Sequence, residues 1–223
     1  MVVLATKIYV EGAARERTLD GLRSLVADRL GDLDVEYTAG VREDGFPSVT
    51  LSGPDETAAR NLLAEEFGEL TTDRTAGEEY VGTLEAWDED GFVLDVGFGE
   101  TVRIPAAELG LGPGDPSQVR TRFGLVQHVP LRFVAGDPPR LSDAERDRLF
   151  EWQRGDGRVN VNSATRSEVR ATVNRAGHAR DIVTVERLGL LEQSIVCRDG
   201  TDPPGLLASI GEHLPAELLC VVP

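Results

Sequence analysis

The chain has 223 residues, of which 40% are hydrophobic, and this is enough apolar material for ordinary globular cores. Aromatic residues make up only 5%, so the cores must be packed mainly from leucine, valine and alanine. No apolar run approaches the ~20 residues of a membrane-spanning helix. The first residues lack the basic segment and cleavage site of a secretory signal. The sequence therefore predicts a cytoplasmic protein.

The formal net charge is −16, and Lys7 is the only lysine among 23 basic residues. This imbalance is typical of proteins from a high-salt cytoplasm, as in halophilic archaea. At molar salt the Debye length is about 3 Å, so self-repulsion is screened and abundant carboxylates can keep the surface hydrated. We expect most acidic residues to form a solvated coat. An acidic patch for a basic partner is the alternative.

The first third of the chain shows a β-α-β-β-α pattern. Leu22, Val26 and Leu30 recur every four residues and indicate the buried stripe of the first helix. The predicted elements are a strand at Lys7–Glu11, a helix capped by Thr18 and ended by a left-handed Gly31, a hairpin turning at Glu43–Gly45, a helix opened by Pro54 and ended by Gly68, and a weak fourth strand at Glu69–Thr72.

The middle of the chain, Glu79–Leu141, consists of short β-rich runs separated by turn clusters. The runs YVGT, GFVLDVG and TVRIPAAEL resemble the S1-like RNA-binding barrel, a branch of the OB-fold family. That resemblance implies five strands and an open face that binds single-stranded RNA through aromatic and basic side chains. Alternation predicts that Phe92, Leu94 and Val96 point inward, while Asp95 lies on the outer face, which lacks an aromatic platform.

The last third shows a full β-α-β-β-α-β pattern. A capping box of Ser142 and Glu145 opens a connecting helix before it. The predicted elements are a strand at Arg158–Asn162, a helix capped by Thr165 and Glu168, a hairpin of Ile182–Leu188 with Leu191–Cys197, a helix opened by Asp202 and Pro203, and a strand at Leu218–Val222.

The predicted fold is therefore α+β, with a central S1-like five-stranded β-barrel flanked by two ferredoxin-like units. The expected divisions are an N-terminal ferredoxin-like unit at 1–76, the barrel at 77–141, a connector helix at 142–157 and a C-terminal ferredoxin-like unit at 158–223. The runs VNRAGHARDIVTVERLGLLEQSIVC and GTDPPGLL, with the barrel pattern, resemble an uncharacterised archaeal family known only as a domain of unknown function. This resemblance covers most of the chain and implies class and compartment, but no activity.

Positive charge is concentrated towards the C-terminal part. Residues 140–198 carry 11 arginines against 9 acidic residues, whereas residues 1–139 carry 12 basic against 26 acidic residues. Arginine and asparagine side chains in this region can hold a phosphate backbone and contact base edges. With the outward arginines of the barrel, the predicted RNA-binding residues are Arg103, Arg120, Arg122, Arg158, Asn160, Asn162, Arg166, Arg170, Arg175, His178 and Arg180. Pairing of these arginines with internal carboxylates is the alternative.

No catalytic or cofactor signature is recognisable in the sequence. The three histidines have no metal-ligand spacing with one another or with the two cysteines, which we expect to be buried thiols. The glycine-rich run 110–114 lacks the context and ending of a phosphate loop, and no serine or cysteine occupies a nucleophile elbow. We therefore expect no cofactor and favour a non-catalytic protein, although residues distant in sequence can still meet in space.

The leading hypothesis is a non-catalytic RNA-associated protein of transcription, translation or RNA processing. Its RNA would contact the barrel face and the arginine-rich region. One alternative is an adaptor that docks on a ribosomal or RNA polymerase-associated protein through complementary charge. A second alternative is a regulatory protein whose outer units bind a small ligand.

Overall fold

The computed structural model describes residues 1–223 and contains six α-helices and three antiparallel sheets. The predicted mixed α+β class is therefore confirmed. None of the helices combines the length and apolar character needed to cross a membrane. Each sheet belongs to a different third of the chain, and each third has its own hydrophobic core.

The N-terminal unit packs two helices on one face of a three-stranded sheet. Its elements are β1 (Val2–Val3), α1 (Gly12–Leu30), β2 (Glu36–Val41), β3 (Pro47–Ser52) and α2 (Glu56–Phe67). The strand order is β1-β3-β2. At the predicted weak fourth strand, Glu69 forms only an isolated β-bridge with Leu4, the residue after β1. The predicted stripe of Leu22, Val26 and Leu30 is buried against this sheet.

Four local predictions in this unit are wrong. Helix α2 begins at Glu56 with Asp55 as its N-cap residue, so Pro54 precedes the helix instead of opening it. Helix α1 begins at Gly12, so Thr18 lies inside it and donates a hydrogen bond to the carbonyl oxygen of Ala14 instead of capping. Gly31 ends the helix with a φ of −59°, in the right-handed region. The predicted strand at Lys7–Glu11 is absent, and the first strand lies at β1 instead. The segment after β1 carries Lys7 and Tyr9, whose side chains bind partners in other units.

The central unit is a five-stranded antiparallel sheet curled into a half-barrel. Its elements are β4 (Glu79–Asp88), β5 (Gly91–Asp95), β6 (Thr101–Pro105), a single 3-10 turn (Ala106–Glu108), α3 (Pro116–Arg122), β7 (Pro130–Val134) and β8 (Arg140–Leu141). The strand order is β6-β5-β4-β7-β8; the edge strands β6 and β8 approach each other without a hydrogen-bonded ladder. Phe92, Leu94 and Val96 point into the core, as the alternation predicts.

The connecting helix α4 (Asp143–Arg154) packs Leu149 and Trp152 into the central core. Half of the predicted capping box is present, because the Ser142 hydroxyl accepts a hydrogen bond from the backbone N–H of Glu145. The reciprocal bond is absent, since the Ser142 N–H donates to the carbonyl oxygen of Arg132 instead of the Glu145 side chain. The C-terminal unit follows with β9 (Arg158–Val161), α5 (Arg166–Arg175), β10 (Ile182–Arg187), β11 (Gln193–Cys197), α6 (Pro203–Gly211) and β12 (Leu218–Val221). Its strand order is β10-β11-β9-β12, and the predicted Thr165–Glu168 capping box is present.

The outer units pack on the central unit through the sheet faces that their own helices leave uncovered. In the N-terminal unit, Val3, Phe46 and Leu70 form a small core with Val81 and Phe98 of the central unit. Val221 of β12 packs into the central core from the C-terminal side. Both outer sheets are therefore covered on two faces, and their helices form the outer surface.

Candidate functional site

Arg103 and Arg122, predicted to bind RNA on the barrel face, are hydrogen-bonded to other groups of the protein. Both terminal nitrogens of Arg103 donate to the carboxylate of Asp88, at 2.6 and 2.8 Å. This bidentate pair holds the pKa of Asp88 below its usual value. Arg122 donates to the carbonyl oxygens of Leu111 and Pro113, each at 2.7 Å, and so fixes the glycine-rich loop. Neither guanidinium is directed at an open surface with its donors free.

Arg120 joins the central unit to the C-terminal unit. Its side chain is only 8% exposed and pairs with Glu217, which precedes β12. The guanidinium carbon lies 3.7 Å from the centre of the Trp87 ring, so the arginine is stacked as well as paired. Arg120 and Trp87 of the central unit thus interact with each other and not with an external ligand.

The two predicted asparagines share a face, as the strand alternation indicates. Asn160 donates to the carbonyl oxygen of Gly124 at 2.8 Å, and Asn162 donates to that of Gln127 at 3.3 Å. Both residues are buried. Their amides therefore bind the backbone between α3 and β7, and this face of the C-terminal sheet is occupied by the central unit.

The remaining predicted residues lie in three separate places. Arg158 and Arg166 line a groove between the units. Arg175 lines a depression of about 320 Å³ between α1 and α5. His178 and Arg180 line another depression, of about 420 Å³, at one end of the C-terminal unit. Arg170, Arg175 and Arg180 are exposed, and the ion pairs of this unit do not include them.

The groove follows the joint between all three units. It consists of two adjoining cavities of about 760 and 690 Å³, both lined by Glu66 of α2, Pro130 of β7 and Arg148 of α4. Seven glutamates line the two cavities, as do seven arginines: Arg29, Arg60, Arg132, Arg148, Arg158, Arg166 and Arg187. In a strongly acidic chain, this groove is charge-balanced.

Most guanidinium groups of the groove are already paired. Arg187 pairs with Glu66, and Arg158 pairs with Glu186. Arg166 instead donates from Nε to the carbonyl oxygen of Val185 at 2.6 Å, and Arg132 is exposed without an ion pair. Sequence reasoning missed most of this lining, because its residues come from α1, α2, α4 and β10 and no local pattern links them.

A second cluster, also missed from the sequence, joins the three units. Lys7, the only lysine, donates to Asp95 at 2.8 Å and to Glu85 at 3.0 Å. Burial alone would lower the pKa of Lys7, but the hydrogen bonds to these two carboxylates outweigh it and raise the pKa. The ion pairs fasten the N-terminal unit to β4 and β5 of the central unit.

Tyr9 lies at the point where all three units meet. Its ring packs 4.0 Å from the ring of His128, between centroids, and its hydroxyl donates to Oε1 of Glu192 at 2.6 Å. The same hydroxyl accepts the backbone N–H of Ser163. Burial lowers the pKa of His128, whose Nδ1 lies 3.2 Å from Glu85. We call the set of Lys7, Tyr9, Glu85, Asp95, His128 and Glu192 the junction cluster.

Glu192 is the most deeply placed member of the junction cluster. Its side chain is 0% exposed, and its Oε2 has no hydrogen-bond partner. Burial raises the pKa of Glu192 to about 8, although the hydrogen bond from Tyr9 opposes the shift. A carboxyl group in this environment is neutral at pH 7, so the cluster contains one proton that pH can remove.

These observations define a three-unit α+β protein whose units are joined by buried ionisable side chains and enclose a charge-balanced groove. No group of three His, Cys, Asp or Glu side chains is arranged to hold a metal ion. The chain belongs to the DUF2110 family. The DUF2110 N-terminal domain matches residues 1–73, the DUF2110 central domain matches residues 74–153, and the DUF2110 C-terminal domain matches residues 156–222. A search of curated proteins found no match.

Proposed function

We propose that the protein is RNA-associated and that it holds RNA by binding alone, in the groove between its three units. The proposed architecture is an S1-like barrel between two ferredoxin-like units. The order β6-β5-β4-β7-β8, with α3 before the fourth strand of the sheet, supports a partly open OB-type barrel. The order β10-β11-β9-β12 supports a split βαβ unit of the ferredoxin-like kind.

The observation that carries this proposal is the balance of arginine and glutamate in the groove. Carboxylates outnumber basic residues by 39 to 23 over the whole chain, but seven arginines match seven glutamates here. Guanidinium groups bind phosphate in the same bidentate way as they bind carboxylate. A phosphate backbone can therefore replace glutamates as the partner of groove arginines without a change in the arginine positions.

The proposed phosphate interactions differ in how readily they form. Arg132 and Arg166 have no carboxylate partner, so they bind phosphate directly. Arg158 must first release Glu186, and Arg187 must first release Glu66, before either can bind phosphate. Arg170, one turn beyond Arg166 on α5, extends the same positive side outward. Arg103 and Arg120 contribute less in this proposal, because Asp88 and Glu217 already neutralise them.

A double charge reversal tests the groove. The Arg132→Glu/Arg166→Glu variant should bind a fluorescent single-stranded RNA at least tenfold more weakly than the unchanged protein, because two attractive interactions with phosphate become repulsive. The slope of log K against log salt should also fall by about 0.7 for each arginine that no longer neutralises a phosphate. Fluorescence anisotropy over a series of KCl concentrations measures both quantities.

The matched control is Arg15→Glu/Arg23→Glu, which makes the same change of net charge on α1, outside the groove. This control should retain nearly all of the RNA affinity. An equal loss in both double variants would mean that only net charge matters. Absence of RNA binding by the unchanged protein would dismiss the function.

A second candidate function is docking on another protein. It is favoured by strand β10, an edge of its sheet, whose Val183 is 58% exposed. An edge strand offers unpaired backbone groups to a strand of another chain. In that case Val183→Lys should abolish a complex that survives nuclease, while RNA binding by the groove persists.

We also propose that the protein works in the cytoplasm of a salt-adapted, archaeal-type cell. The net charge of −16 and the single lysine support this setting. Because salt screens carboxylate repulsion, the melting temperature should rise markedly between about 0.1 and 2 M KCl. Differential scanning fluorimetry measures the rise. A melting temperature that stays constant or falls over this range would argue against salt adaptation.

A further inference from the structure

His178 is hydrogen-bonded through both ring nitrogens to side chains that do not line the groove. Its Nδ1 lies 2.7 Å from Oδ2 of Asp181, and its Nε2 lies 2.8 Å from Oγ of Ser209. The carboxylate of Asp181 can only accept, so Nδ1 of a neutral ring carries the proton. Nε2 is then the acceptor for the hydroxyl of Ser209. Hydrogen bonds thus run from carboxylate to imidazole to hydroxyl, and this is the arrangement that activates a serine nucleophile.

The backbone holds the three side chains in this arrangement. His178 lies in the turn after α5, where its N–H donates to the carbonyl oxygen of Val173 and its own carbonyl oxygen accepts from Asp181. The carbonyl oxygen of Asp181 accepts from the backbone of Arg198 and from the hydroxyl of Thr201. Ser209 is fixed on helix α6. The turn is therefore held from both sides, and the imidazole faces the helix.

A depression of about 420 Å³ adjoins the imidazole and Asp181, and Ser209 is partly exposed but does not line it. His178 lines this depression and is 28% exposed at its side chain. Arg180 and Arg198 line it together with Asp199 and Asp202, and neither arginine forms an ion pair. A volume of about 420 Å³ is enough for a small acyl group.

We propose that Ser209, His178 and Asp181 form an acyl-transfer site for small activated esters. Ser209 Oγ forms a bond to the ester carbonyl carbon while its proton moves to His178 Nε2, and the carbonyl π electrons move to oxygen. Collapse of this intermediate breaks the bond to the leaving oxygen, which takes the proton from Nε2. A water molecule then attacks the acyl-serine with the same imidazole as base, releasing the acid and restoring the hydroxyl.

Two probes test this site, p-nitrophenyl acetate as substrate and a fluorophosphonate as covalent label. The unchanged protein should release p-nitrophenol faster than buffer does, and mass spectrometry should locate the phosphonyl group on Ser209. The His178→Gln variant should label about a hundredfold more slowly, because general-base catalysis is removed. Asp181→Asn should also slow labelling, because the partner that fixes the ring tautomer is removed.

Controls separate catalysis from folding. Ser167→Ala, an exposed serine on α5, should label at the unchanged rate. Mass spectrometry locates the label in the unchanged protein. This result therefore does not depend on whether a Ser209→Ala variant folds. The proposal is overturned if Ser209 stays unlabelled in the unchanged protein, or if a folded His178→Gln variant labels at the same rate. RNA binding by the groove is independent of either outcome.

Discussion

Replacement of Glu192 by glutamine should raise the free energy of unfolding by a few kcal/mol at pH 8 to 9 and leave it almost unchanged near pH 5. The carboxyl group is fully buried, and burial raises its pKa to about 8 in the folded protein. In the unfolded chain a glutamate loses its proton near pH 4.3. Between these two pH values the folded protein holds one proton more than the unfolded chain.

The sign of the pH effect follows from this difference. Because the unfolded chain binds fewer protons, the free energy of unfolding falls as pH rises, by up to about 1.4 kcal/mol per pH unit. The fall begins near the unfolded pKa and ends near pH 8. Glutamine releases no proton, and its oxygen can still accept from Tyr9. The contribution of this site to the pH dependence should therefore disappear in Glu192→Gln.

Urea unfolding between pH 5 and 9, at about 2 M KCl, measures the effect. The control is Glu36→Gln, which removes one exposed carboxylate at the start of β2 and should leave the slope unchanged. Tyr9→Phe should destabilise the protein at every pH, because Ser163 and Glu192 both lose a hydrogen-bond partner. Parallel pH profiles for Glu192→Gln and the unchanged protein would show that Glu192 is ionised in the fold.

Most helices and strands were predicted correctly, because side-chain alternation and capping residues can be recognised within a few neighbouring positions. The alternation of Phe92, Leu94 and Val96 fixes the inward face of β5, and the Thr165–Glu168 box fixes the start of α5. The strand at Lys7–Glu11 was mispredicted for the opposite reason. The side chains of Lys7 and Tyr9 in this segment bind residues of the other units, and no local pattern indicates such contacts.

Of the groove lining only Arg158 and Arg166 were predicted, since most interactions of the site join residues that are far apart in sequence. Tyr9 and Glu192 are separated by 183 positions, and Arg187 and Glu66 by 121. His178 and Asp181 are three residues apart, so their pairing was within reach of sequence reasoning. Ser209 lies 31 positions from His178 on another element, and nothing local marks it as the third partner.

The arginine excess of the C-terminal region has two physical causes that sequence reasoning treated as alternatives. Arg158 and Arg187 neutralise glutamates of β10 and α2, so part of the excess holds elements and units together. Arg170, Arg175 and Arg180 are exposed and outside the ion pairs, so part of it remains available to an anion. The structure therefore combines the two explanations and assigns them to different arginines.

Gly91→Ala should be the most damaging single substitution in the central unit, with a loss of more than about 4 kcal/mol. Gly91 opens β5 with a φ of +148° and pairs with Pro105 of β6. A methyl group there would overlap the carbonyl oxygen of Ile104 and lie 3.0 Å from the backbone nitrogen of Ala106.

The matched control is Gly99→Ala, where φ is +76° and nothing lies within 4 Å of the added carbon. That control should cost only the left-handed strain of about 1–2 kcal/mol. Urea unfolding of both variants measures the difference, and equal losses would mean that the close approach of β6 to Gly91 does not constrain the sheet.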